Sequence, residues 1–144
     1  MSIWQFSRIL SQRLLVWNLV NLAAGLLLIQ RGGFWRGVGS QCLGWGTINI
    51  GIALGGRFLT ERRRSTLADP EAPSVVNQEA RSLRRILWIN AGLDVLYMLG
   101  GWRLAAVRGA EDAQWRGIGQ GIMLQGGLLL LFDVIHALLV PDRS

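Results

Sequence analysis

The sequence predicts an all-α, polytopic membrane four-helix bundle built from two tandem helical hairpins, in a single domain over residues 1–144. Three observations carry that expectation. Four long apolar stretches lie along the chain, arginines stand at their ends rather than along their lengths, and the second half of the chain echoes the first.

The stretches cover residues 14–30, 37–56, 86–102 and 117–140. At 1.5 Å rise per residue, about 20 residues cross a hydrocarbon core of roughly 30 Å. The first and third are somewhat short, but Arg13, Arg31, Arg85 and Arg103 at their ends extend their reach by snorkelling. A water-soluble four-helix bundle would show a polar stripe along each helix. Instead, residues 22–29 and 128–132 are apolar all round, and Trp17, Trp35, Trp88, Trp102 and Trp115 lie near stretch ends, as an aromatic belt requires.

Composition supports the same class. With 51% hydrophobic residues, the chain is neither disordered nor collagen-like. Cys42 is the single cysteine, so no intrachain disulfide forms. The 15 basic residues are all arginine and outweigh nine acids, for a net charge of +6. That balance would point to nucleic acid only if the arginines lay on a soluble face. Because they bracket spans, the expected partners are membrane lipids, with a homo-oligomer or a larger membrane complex in addition, and no nucleic acid. With four spans, the side holding both termini and the second connection carries ten arginines, Arg143 among them, against five opposite. The bias predicts a bacterial inner-membrane protein with both termini cytoplasmic, and no cleavable signal peptide is expected.

The N-terminal stretch around Ile3, Trp4, Phe6 and Arg8 fits either a short interfacial helix feeding the first span or an early start of that span. The connection over about 58–84 begins with a charge run followed by Pro70 and Pro73, which reads as a cytoplasmic loop. Ser74 then caps a helix with Val76, Ala80 and Leu83 along one side, continuing into the third span. Arg62, Arg63 and Arg64 fit either a topology signal with no other role, the favoured reading, or a site for anionic lipid headgroups.

The repeat is visible at the second and fourth stretches. Shifted by 80 positions, Trp35, Arg36, Gly37, Gly39 and Gly46 meet Trp115, Arg116, Gly117, Gly119 and Gly126. The preceding stretches align with a shift of 72, which pairs Asn18 with Asn90. Repeat 1 thus covers about 13–57 and repeat 2 about 85–140, in parallel orientation. In each corner, Trp35 and Arg36 or Trp115 and Arg116 anchor at the headgroups, while the glycines allow close helix approach.

What chemistry the chain holds lies in polar residues within the spans. Counted from the cytoplasmic ends, Asn18, Asn21, Asn49, Asn90, Asp94 and Asp133 fall at one level, roughly 7–14 Å deep. His136 lies nearer the surface, and Gln41 and Gln125 lie above the layer. Such residues point into a bundle, because a polar group facing lipid is costly. One expectation is an ionisable site in which Asp94 and Asp133 share a proton and His136 relays it. The other is a hydrogen-bonded layer that holds the helices or lines a ligand pocket, with an acid paired to Arg57 or His136.

The favoured function is therefore a structural or interaction protein, or a lipid- or quinone-pocket protein. The alternative is an oligomeric proton- or cation-coupled carrier using Asp94 and Asp133. The first is preferred because the outer half offers no polar entry and 144 residues make a very small transporter. No enzyme, cofactor or metal site is expected: one His and one Cys far apart cannot close a zinc site, and the glycine runs precede spans rather than a βαβ unit.

Overall fold

The computed structural model describes residues 1–141, and Arg143 of the orientation argument lies outside them. Four long helices account for almost all of that chain, and no strand occurs among the described residues. They are α1 (Ile3–Leu28), α2 (Gly33–Thr66), α3 (Pro73–Val107) and α4 (Ala113–Leu139).

Helix boundaries follow local chemistry. Ser2 and Gln5 form a reciprocal capping box at the start of α1. After a single 3-10 turn, Ile29–Arg31, the chain reverses through Gly32 and Gly33, whose φ values of 77° and 47° favour residues without a Cβ. Pro73 opens α3 at a position where its missing N–H costs nothing. Asp112 caps α4 by accepting from the backbone N–H groups of Gln114 (2.7 Å) and Trp115 (3.3 Å).

One boundary differs from the sequence-based expectation, and one open alternative is resolved. The connection expected over 58–84 shrinks to 67–72, because α2 runs through the charge run to Thr66 and α3 begins at Pro73 rather than behind a Ser74 cap. The run is helical because its charges are solvated or paired: Arg57 binds Glu61 (3.2 Å), Arg64 binds Glu71 (3.2 Å) and Arg63 binds Glu79. At the N-terminus, where two readings stood open, the helix starts early: Ile3 already belongs to α1, with no separate short helix before it. Ile3, Trp4 and Phe6 are buried against Val76, Ala80 and Leu87 of α3 and Ala137 and Val140 of α4. Trp4 Nε1 donates to Pro70 O (3.0 Å), and Arg84 donates to Val140 O (2.9 Å), tying this end together.

Packing divides the bundle into two antiparallel hairpins, α1 on α2 and α3 on α4, joined along α2 and α4. Glycines set every one of these interfaces. A Cβ on Gly37 would collide with Gln114 O, and one on Gly117 with Phe34 O, so the two corners pack back to back. Gly39 faces Gly25 of α1 and Ile29 of the turn after it, and Gly119 faces Gly101 and Ala105 of α3; an added Cβ would lie 2.6 Å from Ile29 N and 2.5 Å from Ala105 N. One layer further, Gly46 sits on Leu22 and Asn18 O, and Gly126 on Met98 and Asp94 O. Matching contacts therefore pair α2 with α4 at a shift of 80, but α1 with α3 at 76, which sets Asn18 opposite Asp94 in the frame.

Candidate functional site

The mid-bundle layer is built from small and polar residues, and its polar members separate into two groups. The first is closed. Asn21 and Gln125 exchange amide hydrogen bonds in both directions, at 2.9 and 3.0 Å, across α1 and α4. Asn18 Nδ2 donates to Leu14 O (2.7 Å), while its Oδ1 lies 3.4 Å from the Nδ2 atoms of Asn21 and Asn49. Gln125 also reaches Cys42 Sγ at 3.5 Å. Asn18 is 0% exposed and Gln125 1%, so these amides satisfy one another away from solvent.

The second group is open. Asp94, Asp133, Asn49 and Asn90 line a cavity of about 210 Å³, walled by Leu14, Trp45, Ile48, Ile52, Leu93, Tyr97 and Leu129. All four helices contribute, but most of the wall comes from α2 and α3, which do not pack along one another. The Trp45 and Tyr97 rings bridge that gap edge to face, with centroids 4.9 Å apart. The Asp94 and Asp133 carboxyls stand close enough to interact directly. Asp94 is 4% exposed, and its buried Oδ2 has no hydrogen-bond partner. A buried carboxylate oxygen left unpaired is expensive, and native interiors rarely keep one without a use. No cluster of three or more His, Cys, Asp or Glu side chains occurs among the described residues, so a carboxylate-rich metal cage is not formed there.

His136 stands apart from both acids. Its Nδ1 lies 2.7 Å from Phe132 O and its Nε2 3.2 Å from Arg13 Nη1. A carbonyl only accepts and a guanidinium only donates, which places the ring hydrogen on Nδ1. The ring also packs on Phe132, with centroids 4.1 Å apart, and against Phe6. The pairing of an acid with Arg57 or His136 expected from the sequence thus does not form, because Arg57 is held by Glu61 and His136 by Arg13.

The remaining sequence-chosen residues lie away from this layer. Trp35, Arg36, Trp115 and Arg116 are exposed at the starts of α2 and α4, with Arg108 stacked 5.0 Å over Trp115. Arg62, Arg63 and Arg64 are exposed near the end of α2. Sequence reasoning missed Gln125, placed above the layer but a partner of Asn21, and the cavity residues Trp45 and Tyr97. A signal for the rings existed: Trp45 is the tryptophan in the middle of a span, away from any belt.

The chain belongs to a family of unknown function, DUF6992, which it matches over residues 13–134. That stretch contains every residue lining the cavity, and His136 lies just beyond it. No curated protein and no solved structure matches the chain.

Proposed function

We propose that the protein is a small integral membrane protein, a parallel repeat of two helical hairpins, in which the Asp94–Asp133 cavity receives a small ligand. The membrane assignment is supported by the inverted distribution of polarity. The buried positions along the bundle include glycines, Asn18, Asn21, Asn49, Asp94, Gln125 and Asp133 beside Cys42, Ala91 and Leu129, while Val16, Leu19, Leu27, Leu124, Leu131 and Leu138 face outward. Leu27 is 68% exposed and Leu138 71%. Water would drive the opposite arrangement, whereas lipid rewards close glycine contacts and interior hydrogen bonds. Helices α1, with its following turn, and α4 are also long and apolar enough to cross a membrane. The glycine contacts at matching shifts support the repeat.

The observation that carries the ligand reading is the placement of Asp94 and Asp133 together in the wall of an open cavity, with one buried Asp94 carboxylate oxygen left without a hydrogen-bond partner behind it. A layer serving only packing would satisfy its amides and acids alike, as Asn21 and Gln125 do. The two carboxyls are the strongest polar groups of the lining, and they favour a ligand that donates hydrogen bonds or carries positive charge; Asn90, Trp45 and Tyr97 can donate beside them.

The test is the stability of Asp94→Asn, measured by unfolding the detergent-solubilised protein. Groups kept for binding are commonly suboptimal for folding, so Asp94→Asn should be as stable as the wild type or more so by about 0.5–2 kcal/mol. A loss of about 2 kcal/mol or more would assign the acid to the framework and remove the ligand reading. Proton or solute flux in proteoliposomes that vanishes in Asp94→Asn would extend binding to carriage.

A further inference from the structure

Resting on the reading of this cavity as a ligand site, we propose that its ligand is an organic ammonium group carried on an apolar chain, and that the chain leaves through the crevice between α2 and α3. Three features of the lining select that class together. Asp94 and Asp133 supply two carboxyls in one wall with no cationic side chain beside them, so a cationic head meets acceptors and no opposing positive charge. Trp45 and Tyr97 supply aromatic rings next to those carboxyls, the combination that recognises ammonium groups through cation–π attraction. Ile48, Ile52 and Leu93 line the crevice and are themselves exposed, at 57%, 57% and 42%, so the approach to the acids is aliphatic.

The same features argue against an inorganic ion. A hard metal ion takes six or more oxygens at 2.0–2.6 Å, as a general rule for magnesium and calcium. Here two aspartates and two asparagines face a cavity of about 210 Å³ whose other walls are aliphatic or aromatic. A bare ion would leave most of that space empty, whereas an alkylammonium fills it with contacts of both kinds. The charged head would sit against Asp94 and Asp133 on their cavity side, with Asn90, Trp45 and Tyr97 in the same wall. On the membrane reading, the chain lies among lipid tails, so the ligand would arrive from the bilayer and need no aqueous path.

The experiment is isothermal titration of the full-length protein in a non-ionic detergent with hexyltrimethylammonium, hexylamine and hexanol. Both ammonium probes should bind at least tenfold more tightly than hexanol. Asp94→Asn and Asp133→Asn should each weaken them tenfold or more, and Trp45→Leu about three- to tenfold, while Arg13→Gln on the opposite crevice leaves them unchanged. Equal binding of hexanol and the ammonium probes to the wild type overturns the proposal whatever the variants do. So does displacement of the probes by millimolar sodium, potassium or calcium with Asp94 dependence, which marks an inorganic cation site. Ammonium binding absent from a protein whose Asp94→Asn variant is fully stable removes the ammonium class alone. Ammonium binding absent together with collapse of that variant removes the cavity as a ligand site.

Discussion

Two crevices of this bundle share one backbone frame and differ in what fills them. The shifts fixed by the glycine contacts, 80 for α2 onto α4 and 76 for α1 onto α3, carry the α2/α3 crevice onto the α1/α4 crevice. Trp45, Ile48, Asn49 and Ile52 then correspond to Gln125, Leu128, Leu129 and Phe132, while Leu93, Asp94 and Tyr97 correspond to Trp17, Asn18 and Asn21. The ring pair Trp45–Tyr97 in one crevice stands where the amide pair Gln125–Asn21 stands in the other. Behind the rings lies the acidic cavity. Behind the amides lie Asn18, fully buried, and an open groove lined by Arg13, Trp17, Leu128, Leu129, Phe132 and His136.

The difference shows how two crevices with matching backbone contacts can hold different polar groups. An amide pair makes two reciprocal hydrogen bonds and leaves nothing over, so it closes a gap and contributes stability. An aromatic pair spans a similar gap without consuming polar groups, which is the arrangement the proposed ligand site requires of the acids behind it. Asn18 against Asp94 repeats the contrast at the next layer: the amide reaches Leu14, Asn21 and Asn49, while the carboxylate, an acceptor only, cannot satisfy itself in that way.

The largest expected effect breaks both crevices together. In Gly117→Ala the new methyl would collide with Phe34 O, and the α2–α4 seam must separate. A loss of about 3 kcal/mol is expected, read from unfolding in detergent. Gly44→Ala, where a Cβ meets nothing, should change stability by less than about 0.5 kcal/mol in the same measurement. Similar losses in the two variants would mean that the glycine seam does not set the frame.

An intermediate effect separates the two closures. Asn21→Leu strands the Gln125 amide and should cost about 1–2 kcal/mol, whereas Tyr97→Leu at the corresponding position, 41% exposed, should cost less than about 1 kcal/mol. Replacing Asn21 and Gln125 together by leucine should recover part of the first loss, because no amide is then left unpaired. The reverse ranking would make the aromatic side the structural one. The smallest effect concerns Arg13. It is exposed, and Gln can still donate to His136 Nε2, so Arg13→Gln should shift stability by no more than about 0.5 kcal/mol. A larger loss would give His136 a role in holding α1 to α4 beyond its packing on Phe132.

Much of this arrangement is legible in the chain. Helices spaced by apolar runs, the glycine corners at 37 and 117, and a layer holding Asn18, Asn21, Asn49, Asp94 and Asp133 follow from hydropathy, self-similarity and residue counting. The division of that layer does not. Depth along a helix is one-dimensional, and it set Gln125 outside a layer whose network it completes, because a long side chain reaches a neighbouring turn. The 72-residue alignment pairs Asn18 with Asn90 by identity, but the backbone contacts pair Asn18 with Asp94. One helical turn separates the two answers, and helical periodicity alone cannot distinguish registers one turn apart.

The sequence by itself determined four helices, roughly where each lies, and which residue types avoid the outer surface, since these depend on hydropathy and local chemistry. Only the tertiary structure decided that the amides close one crevice while the two aspartates line the other. Which polar group finds a partner depends on the rotation and register of helices distant in sequence. Here that register is set by glycine contacts closer than any side chain would permit.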